Sequence, residues 1–282
     1  MSQKELSFRQ VQLGAFEVYK KLAQLCREQG WQCFMTYGSM LGAIRHKGII
    51  PWDDDIDLMM PRPDYEKLRT YFMENEQALA PLKLFDHQTV PEYPHMIARI
   101  SDQRYHLVFE NEKDYGIGLF VDIYPLDGVG NDYEKALQLV HKTKRTASLC
   151  FLTGRRSFGV DNTGSKLKMA LKLPAYCWAK LMGNRHYIRK LEKAARTYDY
   201  QSSQYVACVT WPVGKKAGRE RDVFKKELFR QLIDVPFEDT TATIPAEYDE
   251  FLTVTYGDYM QPPSEAGKKT NHTYKAYEKN CI

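Results

Sequence analysis

Four carboxylates are crowded into residues 53–57, at the start of an apolar run with the sequence WDDDIDLMM (52–60). In a β-strand successive side chains alternate between the two faces, so Asp55 and Asp57 project to the same side. Neighbouring carboxylates repel each other unless they share a cation, and hard oxygen ligands suit Mg²⁺ or Mn²⁺. The pattern therefore predicts a divalent metal site on a strand over 55–60.

A third carboxylate, Asp122, stands in the apolar run GLFVDIY (118–124). A lone carboxylate in a buried strand is costly unless it is paired or bound to a metal. If the strand 118–124 runs beside the strand 55–60, all three carboxylates should converge within the reach of one ion. The alternative is that Asp122 caps the turn at 125–128.

Small residues precede the acidic run, at Tyr37-Gly38-Ser39. We expect a tight turn here, whose backbone N–H groups and Ser39 hydroxyl could approach a phosphate group at the start of a short helix. Arg45 and Lys47 stand between this turn and the carboxylates and are candidates to bind phosphate oxygens. The sequence thus predicts a phosphate held between the turn and the metal.

The same acidic residues also have the D-x-D-x-D spacing of a calcium-binding loop. However, Leu58 occupies the position where an EF-hand needs glycine, and Asp64 occupies that of the bidentate glutamate. We therefore favour the strand-borne metal site. Asp53 and Asp54 are interpreted as loop acids that support it.

Hydrophobic spacing predicts the elements that must position these residues. Helices are expected over 5–29, 40–46, 64–75, 132–150, 165–182, 185–198 and 246–256. Strands are expected over 33–37, 55–60, 82–85, 96–100, 105–109, 118–124 and 205–210. The fold class is α/β (α+β), a mixed sheet flanked by helices with a helical basic region appended. We expect a catalytic core over 1–130, the helical basic region over 131–200, and a C-terminal segment over 201–282 that packs back on the core.

The net charge of +4 conceals a strongly basic region. Residues 141–196 carry 14 Lys and Arg against Asp161 and Glu192, a local charge of +12. Because no nucleic-acid-binding module is recognisable there, nucleic acid is not expected as a partner. The mixture of basic and apolar residues fits a helix resting on anionic lipid headgroups, or an ordinary solvated face.

No secretory signal and no membrane span are recognisable, which predicts a cytoplasmic protein. The six cysteines are dispersed without zinc-site spacing, as expected of reduced thiols.

The stretch YGSMLGAIRHKGIIPWDDDIDLMMPRPDY (37–65) resembles the signature of the LicD family, which is related to fukutin and has the nucleotidyltransferase fold. The segments GLFVDIYPLDG (118–128) and YGDYM (256–260), and His272, match the same family. The resemblance covers most of the chain, with the basic middle least covered. Ser39 departs from the pattern, where threonine is more usual, but both residues supply a hydroxyl.

The resemblance implies an enzyme that transfers phosphocholine from CDP-choline to a hydroxyl of a cell-surface glycan precursor, such as teichoic acid or a lipopolysaccharide sugar. Asp55, Asp57 and Asp122 would bind Mg²⁺ or Mn²⁺, and Asp122 would approach the acceptor hydroxyl as a base. A lipid-linked acceptor would place the enzyme peripherally at the inner face of the membrane. Alternatives are a nucleotidyl or polyol-phosphate transferase of the same fold, and a non-catalytic binding protein.

Further substrate contacts are expected from aromatic side chains and from the C-terminal tail. The faces of aromatic rings suit a quaternary ammonium group. The candidates are Tyr37, Trp52, Tyr115 and Tyr124. Trp52 could equally be a packing residue, and His272 is a candidate phosphate or acceptor contact.

Overall fold

The computed structural model describes residues 4–158, 166–268 and 274–279. Seven α-helices lie in these ranges: α1 Phe8–Gln29, α2 Tyr37–His46, α3 Arg62–Glu74, α4 Tyr133–Gly154, α5 Lys166–Met182, α6 Asn184–Ala195 and α7 Tyr248–Tyr256. Strands β1 to β6 are Phe34–Met35, Asp57–Pro61, Leu82–Phe85, Ala98–Asp102, Tyr105–Phe109 and Leu119–Gly128. Strands β7 to β11 are Tyr205–Ala207, Val223–Lys225, Leu232–Phe237, Thr240–Pro245 and Tyr274–Glu278.

The central sheet is mixed and has the strand order β1-β2-β6-β4-β3. Strand β6 extends beyond this path to pair with β7, which pairs with β8. Strands β2 and β6 are parallel, whereas the other pairs of this sheet are antiparallel. The expected class, a mixed α/β sheet flanked by helices, is confirmed, and the strand at 118–124 does run beside the strand at 55–60.

Every residue of β2 and β6 is buried. Parallel strands are covered on both faces, which explains the apolar runs around Leu58 and Val121. Helices α1 and α3 pack against β6, and Gly14 of α1 faces Leu119 of β6. A Cβ atom on Gly14 would lie 2.1 Å from a Leu119 methyl carbon, so a larger residue here would force the Leu119 side chain to move.

Helix α1 has well-defined ends. Ser7 and Gln10 form a capping box at its start, and Gly30 ends it in the left-handed conformation with φ of 68°. Its buried face carries Phe16 and Leu22 into the main core. A rigid, capped α1 is thus fixed against the sheet that bears the acidic residues.

The C-terminal part of the chain returns to the first half. The hairpin of β9 and β10 lies near β1, α7 contacts α2, and β11 pairs with β5. The proposed division at residues 130 and 200 stays a prediction. Within the described parts of the chain, no helix is both long and apolar enough to cross a bilayer.

Candidate active site

Asp55, Asp57 and Asp122 each bring a carboxylate oxygen within 4.8 Å of the other two. Asp57 lies directly opposite Asp122 in the parallel pair of β2 and β6. The Asp122 amide donates to the carbonyl of Ile56 at 3.0 Å, which holds the chain beside β6 just before β2 begins. The three carboxylates converge as the sequence predicted, although they come from segments 65 residues apart in the numbering.

The environment of Asp57 fits a cation ligand. Its side chain is buried, and its Oδ1 atom has no hydrogen-bond partner. Burial, followed by the charges of Asp55, Asp122 and Asp53, raises its pKa well above the usual range, and the Tyr124 hydroxyl offsets this only in part. A buried, unpartnered carboxylate oxygen beside two further carboxylates is unfavourable unless a positive charge joins them. The oxygen-only donor set suits Mg²⁺ or Mn²⁺.

Asp122 is already paired on one side, with Arg99 of β4. Arg99 stands opposite Asp122 in the antiparallel register, and its Nε donates to Asp122 Oδ1 at 2.7 Å. The guanidinium lies 4.1 Å from the centre of the Phe120 ring, and its buried Nη1 has no hydrogen-bond partner. Residues 125–128 continue strand β6, so the alternative that Asp122 caps a turn is wrong.

The expected tight turn at Tyr37 to Ser39 is instead the first turn of helix α2. The strand expected over 33–37 is correspondingly short, and Tyr37 has a left-handed backbone with φ of 44°. Ser39 Oγ accepts a hydrogen bond from the Asp57 amide at 2.8 Å, which ties α2 to the start of β2. A Cβ on Gly38 would lie 2.6 Å from an Asp53 carboxylate oxygen, so the glycine makes room for that acid. Phosphate binding by Gly38 and Ser39 stays a prediction.

Arg45 and Lys47 were expected between the turn and the carboxylates. Both lie at the C-terminal end of α2, whose start carries Ser39. Arg45 Nη1 donates to the Tyr259 carbonyl at 2.7 Å, so this side chain fastens the C-terminal segment. Lys47 is exposed and caps the helix in the left-handed conformation. Their contacts with phosphate remain untested predictions.

The aromatic candidates separate into two groups. Tyr124 lies at the carboxylates, whereas Trp52 contacts the His46 ring and has the Lys268 ammonium 5.2 Å from its ring centre. Tyr115 donates from its hydroxyl to the Glu92 carbonyl at 3.1 Å. His272 lies outside the described residues.

Three tyrosines lie around Asp57, of which Tyr124 is buried and the other two are half-buried. They are Tyr37, Tyr124 and Tyr256 of α7, and the rings of the first two lie 5.2 Å apart. Burial, with the charge of Asp57 contributing, raises the pKa of all three hydroxyls, so they stay neutral. Tyr256 was not recognised as a site residue from the sequence, although it begins the YGDYM segment.

A cavity of about 220 Å³ opens beside the carboxylates and is bordered by Asp55 and Asp122. Its aromatic walls are Phe109, Tyr124, Phe151 and Trp211, and its polar walls include His95, Arg99, Glu112 and Arg155. The Phe151 and Trp211 rings meet edge to face at 5.9 Å. Apart from Tyr124, sequence reasoning missed these walls, but Arg99 carried a usable signal, because it is a lone charge in the apolar run MIARI (96–100).

His95 and Glu112 form a hydrogen-bonded pair on the cavity wall, with His95 Nε2 at 3.2 Å from Glu112 Oε2. Burial, reinforced by the charge of Arg99, lowers the pKa of His95. Although burial acts in the opposite direction, His95 and the charges of Arg99 and Arg155 lower the pKa of Glu112 to about 2. The pair therefore presents a negative charge to the cavity at neutral pH.

Comparison with known proteins adds two findings to this geometry. Residues 30–163 match the family model described as LicD/FKTN/FKRP, nucleotidyltransferase domain. The chain is also 29% identical over 277 residues to the lipopolysaccharide cholinephosphotransferase LicD of Haemophilus influenzae, covering 97% of this chain and 99% of the relative. The chain belongs to the LicD family.

This LicD-family protein is also 25% identical over 142 residues to an uncharacterized protein of Rickettsia typhi. That alignment covers 47% of this chain and 39% of the relative. The family-model match spans α2, the Asp55 and Asp57 segment, and Asp122. It thus contains all three converging carboxylates. Tyr256 and Trp211 lie beyond it and enter the site from the C-terminal part of this LicD-family chain.

Proposed function

We propose that this LicD-family protein transfers phosphocholine from CDP-choline to a hydroxyl group of a lipopolysaccharide sugar or teichoic acid precursor. The activity named for the Haemophilus influenzae relative supports a phosphocholine transferase. The observation that carries the proposal is the convergence of Asp55, Asp57 and Asp122 around the unpartnered oxygen of Asp57. Phosphoryl transfer needs such a site to compensate phosphate charge.

In this proposal Asp55, Asp57 and Asp122 hold Mg²⁺ or Mn²⁺. The ion would supply charge neutralisation at the phosphate and at the attacking and leaving oxygens. Ser39 fixes the position of Asp57 through its amide, and Arg99 fixes the position of Asp122. The chain's own contribution is a pre-arranged set of carboxylates that needs little rearrangement when substrate binds.

The 220 Å³ cavity is the proposed choline site. Four of its walls, Phe109, Tyr124, Phe151 and Trp211, are aromatic and suit a trimethylammonium group. The charged residues on its walls are three carboxylates, those of Asp55, Asp122 and Glu112, against the two guanidinium groups of Arg99 and Arg155, which gives a formal −1. The proposed divalent ion at Asp55 and Asp122 would offset this charge, so the preference for a cation over a neutral polyol rests on the aromatic rings.

Arg99 has two proposed roles. Its Nε orients Asp122, and its unpartnered Nη1 is available to a phosphate oxygen of the donor. The ion pair also bears on the general-base role expected for Asp122. Because one Asp122 oxygen already accepts a charge-assisted hydrogen bond, the geometry favours a positioned ligand over a proton acceptor.

The deciding experiment measures CMP release from CDP-choline by the purified protein with Mg²⁺, with and without a lipopolysaccharide or teichoic acid acceptor. Phosphocholine on the acceptor is followed by mass spectrometry. CDP-ribitol, CDP-glycerol and nucleoside triphosphates are tested in parallel. Turnover with a polyol donor or a triphosphate in place of CDP-choline would refute the choline assignment, and binding of CDP-choline without turnover would indicate a non-catalytic protein.

Asp57→Asn serves as the matched control because it keeps the shape of the side chain and removes its charge. We propose a cytoplasmic location beside the inner face of the membrane, which fits a lipid-linked glycan acceptor. Nucleic acid has no place in this reaction. Localisation of a tagged chain in fractionated cells would test the location directly.

A further inference from the structure

Helix α5 turns an apolar face outward. Its exposed large apolar side chains are Leu167, Leu171, Leu173, Trp178 and Leu181, with exposed fractions between 44% and 78%. These are five of the twelve exposed large apolar side chains found in the described residues, and they lie within 17 residues. Leu167, Leu171, Trp178 and Leu181 are spaced by four, seven and three residues, which places them along one side of the helix. This set is called the α5 outer face.

The opposite side of α5 packs on the rest of the protein. The helix therefore has a defined orientation, and its outer face is exposed in that orientation. Ala179 is buried, and the Tyr176 ring stacks on Phe158 with 4.8 Å between ring centres. Lys180 Nζ donates to the carbonyl of Thr153, at the end of α4, at 2.7 Å. The helix is therefore held in the orientation that exposes the leucines and the tryptophan.

Basic residues flank this apolar face. Lys168 and Lys172 each follow an outer-face leucine by one position, about 100° around the helix. The neighbouring helix α6 exposes Arg185, Arg189 and Lys190. The segment 141–196, which contains α5, carries 14 Lys and Arg against Asp161 and Glu192, so the outer face belongs to a part of the chain with a local charge of +12.

We propose that the α5 outer face inserts at the headgroup level of an anionic lipid bilayer. Leucine and tryptophan suit the boundary between headgroups and acyl chains, and lysines beside them can extend to lipid phosphates. A second copy of this chain is a poorer occupant, because a two-fold interface would place the two +12 regions against each other. Nucleic acid would match the charge but would leave the exposed leucines in water.

This orientation has a consequence for the candidate active site. Lys172 and Ala175 of α5 border a groove of about 550 Å³, which shares Phe151, Arg155 and Trp211 with the 220 Å³ cavity. Binding through α5 would bring the mouth of this groove to the lipid surface. This last step rests on the proposed function, whereas the lipid contact itself does not.

The test is co-sedimentation with vesicles of phosphatidylcholine alone and of phosphatidylcholine with phosphatidylglycerol, at low and high salt. The main variant is Leu171→Ser/Trp178→Ser/Leu181→Ser. The matched control is Met73→Ser/Met260→Ser, which removes methionines with exposed fractions of 51% and 54% elsewhere on the surface. We expect the wild type and the control to bind anionic vesicles at low salt, and the triple variant to bind at least tenfold more weakly.

Two further measurements separate the contributions. Lys168→Glu/Lys172→Glu should weaken binding to anionic vesicles, and high salt should weaken wild-type binding. The fluorescence of the wild type should shift to shorter wavelength on anionic vesicles, and Trp178→Phe should abolish that shift. Circular dichroism should be unchanged in the α5 variants, and CMP release from CDP-choline should be unchanged in Leu171→Ser/Trp178→Ser/Leu181→Ser, because these three exposed side chains border neither the 550 Å³ groove nor the 220 Å³ cavity.

Absence of wild-type binding to anionic vesicles at low salt would overturn the proposal, as would undiminished binding of the triple variant. Equal binding to neutral vesicles would overturn the role of charge. A dimer in analytical ultracentrifugation that the triple variant abolishes would assign the face to a second copy instead. Vesicle binding by Asp57→Asn distinguishes this proposal from the catalytic one, since the lipid contact should survive when activity is lost.

Discussion

Replacing Asp57 by asparagine should have opposite effects on stability and on activity. Asp57 is buried beside Asp55 and Asp122, with carboxylate oxygens within 4.8 Å of one another. Two unit charges at that distance repel each other by about 3.5 kcal/mol at an effective dielectric constant of about 20. Asparagine removes this repulsion and the cost of burying the charge, while it keeps the size of the side chain.

The full repulsion will not appear as stability, because Arg99 already compensates Asp122 and because Asp57 can take up a proton in the folded state. We expect Asp57→Asn to raise the free energy of unfolding by about 1 to 3 kcal/mol in EDTA, which corresponds to a rise in Tm of about 2 to 6 °C. Turnover should fall by about a hundredfold or more, since the variant loses a ligand charge. Asp55→Asn should lower turnover in the same way.

The assay is thermal unfolding in EDTA and in Mg²⁺, combined with CMP release. The wild type should gain stability from Mg²⁺, and Asp57→Asn should gain little. Asp86→Asn is the control with the opposite expectation, because Asp86 is a buried aspartate whose carboxylate pairs with Arg69 at 2.6 Å. That variant should be destabilised in EDTA. If Asp57→Asn is also destabilised in EDTA, or keeps near-normal turnover, the reasoning about the carboxylate cluster is wrong.

Substitutions at three further positions test the residues that support the site. Arg99→Lys keeps the charge but not the guanidinium geometry at Asp122, so kcat should fall by about tenfold or more with a small loss of Tm. Ser39→Ala leaves the buried Asp57 amide without an acceptor and should cost about 1 to 3 kcal/mol of unfolding free energy, whereas Ser39→Thr should restore it. Glu112→Gln should lose up to about 3 kcal/mol at neutral pH, because the pKa of Glu112 falls from 4.5 to about 2 in the folded state. That stability is present above about pH 4.5 and disappears as pH falls through about 2, so urea unfolding of wild type and variant should converge at low pH.

The sheet and its three carboxylates were predictable because they follow from local patterns. Apolar runs interrupted by acids at Asp57 and Asp122 indicated two buried strands with functional charges, and the structure pairs them. The helices over 64–75 and 165–182 were placed to within a few residues, since their apolar spacing is regular. These features depend on side-chain alternation and helical periodicity, which a single sequence displays.

The remaining features depend on contacts between distant segments. Strands β9, β10 and β11 were not expected, and β11 becomes a strand only by pairing with β5. Whether Ser39 contacts a phosphate or the Asp57 amide depends on how α2 meets β2, which local propensity does not encode. The cavity wall at Trp211 likewise depends on the return of the C-terminal part to the sheet.

The charge balance of the buried cluster explains why a divalent ion suits it better than a monovalent one. The register of β2, β6 and β4 places Asp57, Asp122 and Arg99 side by side on three adjacent strands, and Asp55 joins them from the segment before β2. Three carboxylates and one guanidinium leave a formal charge of −2. The Arg99 guanidinium on β4 offsets the charge of the Asp122 carboxylate, whereas the Asp57 carboxylate on β2 keeps an oxygen without a hydrogen-bond partner. One divalent cation would complete the neutralisation at that oxygen, and K⁺ or Na⁺ would leave a buried negative charge.

Mg²⁺ or Mn²⁺ should therefore raise the Tm of EDTA-treated protein at concentrations where K⁺ has no effect. Equal stabilisation by K⁺ would show that the cluster does not bind a divalent ion in this way.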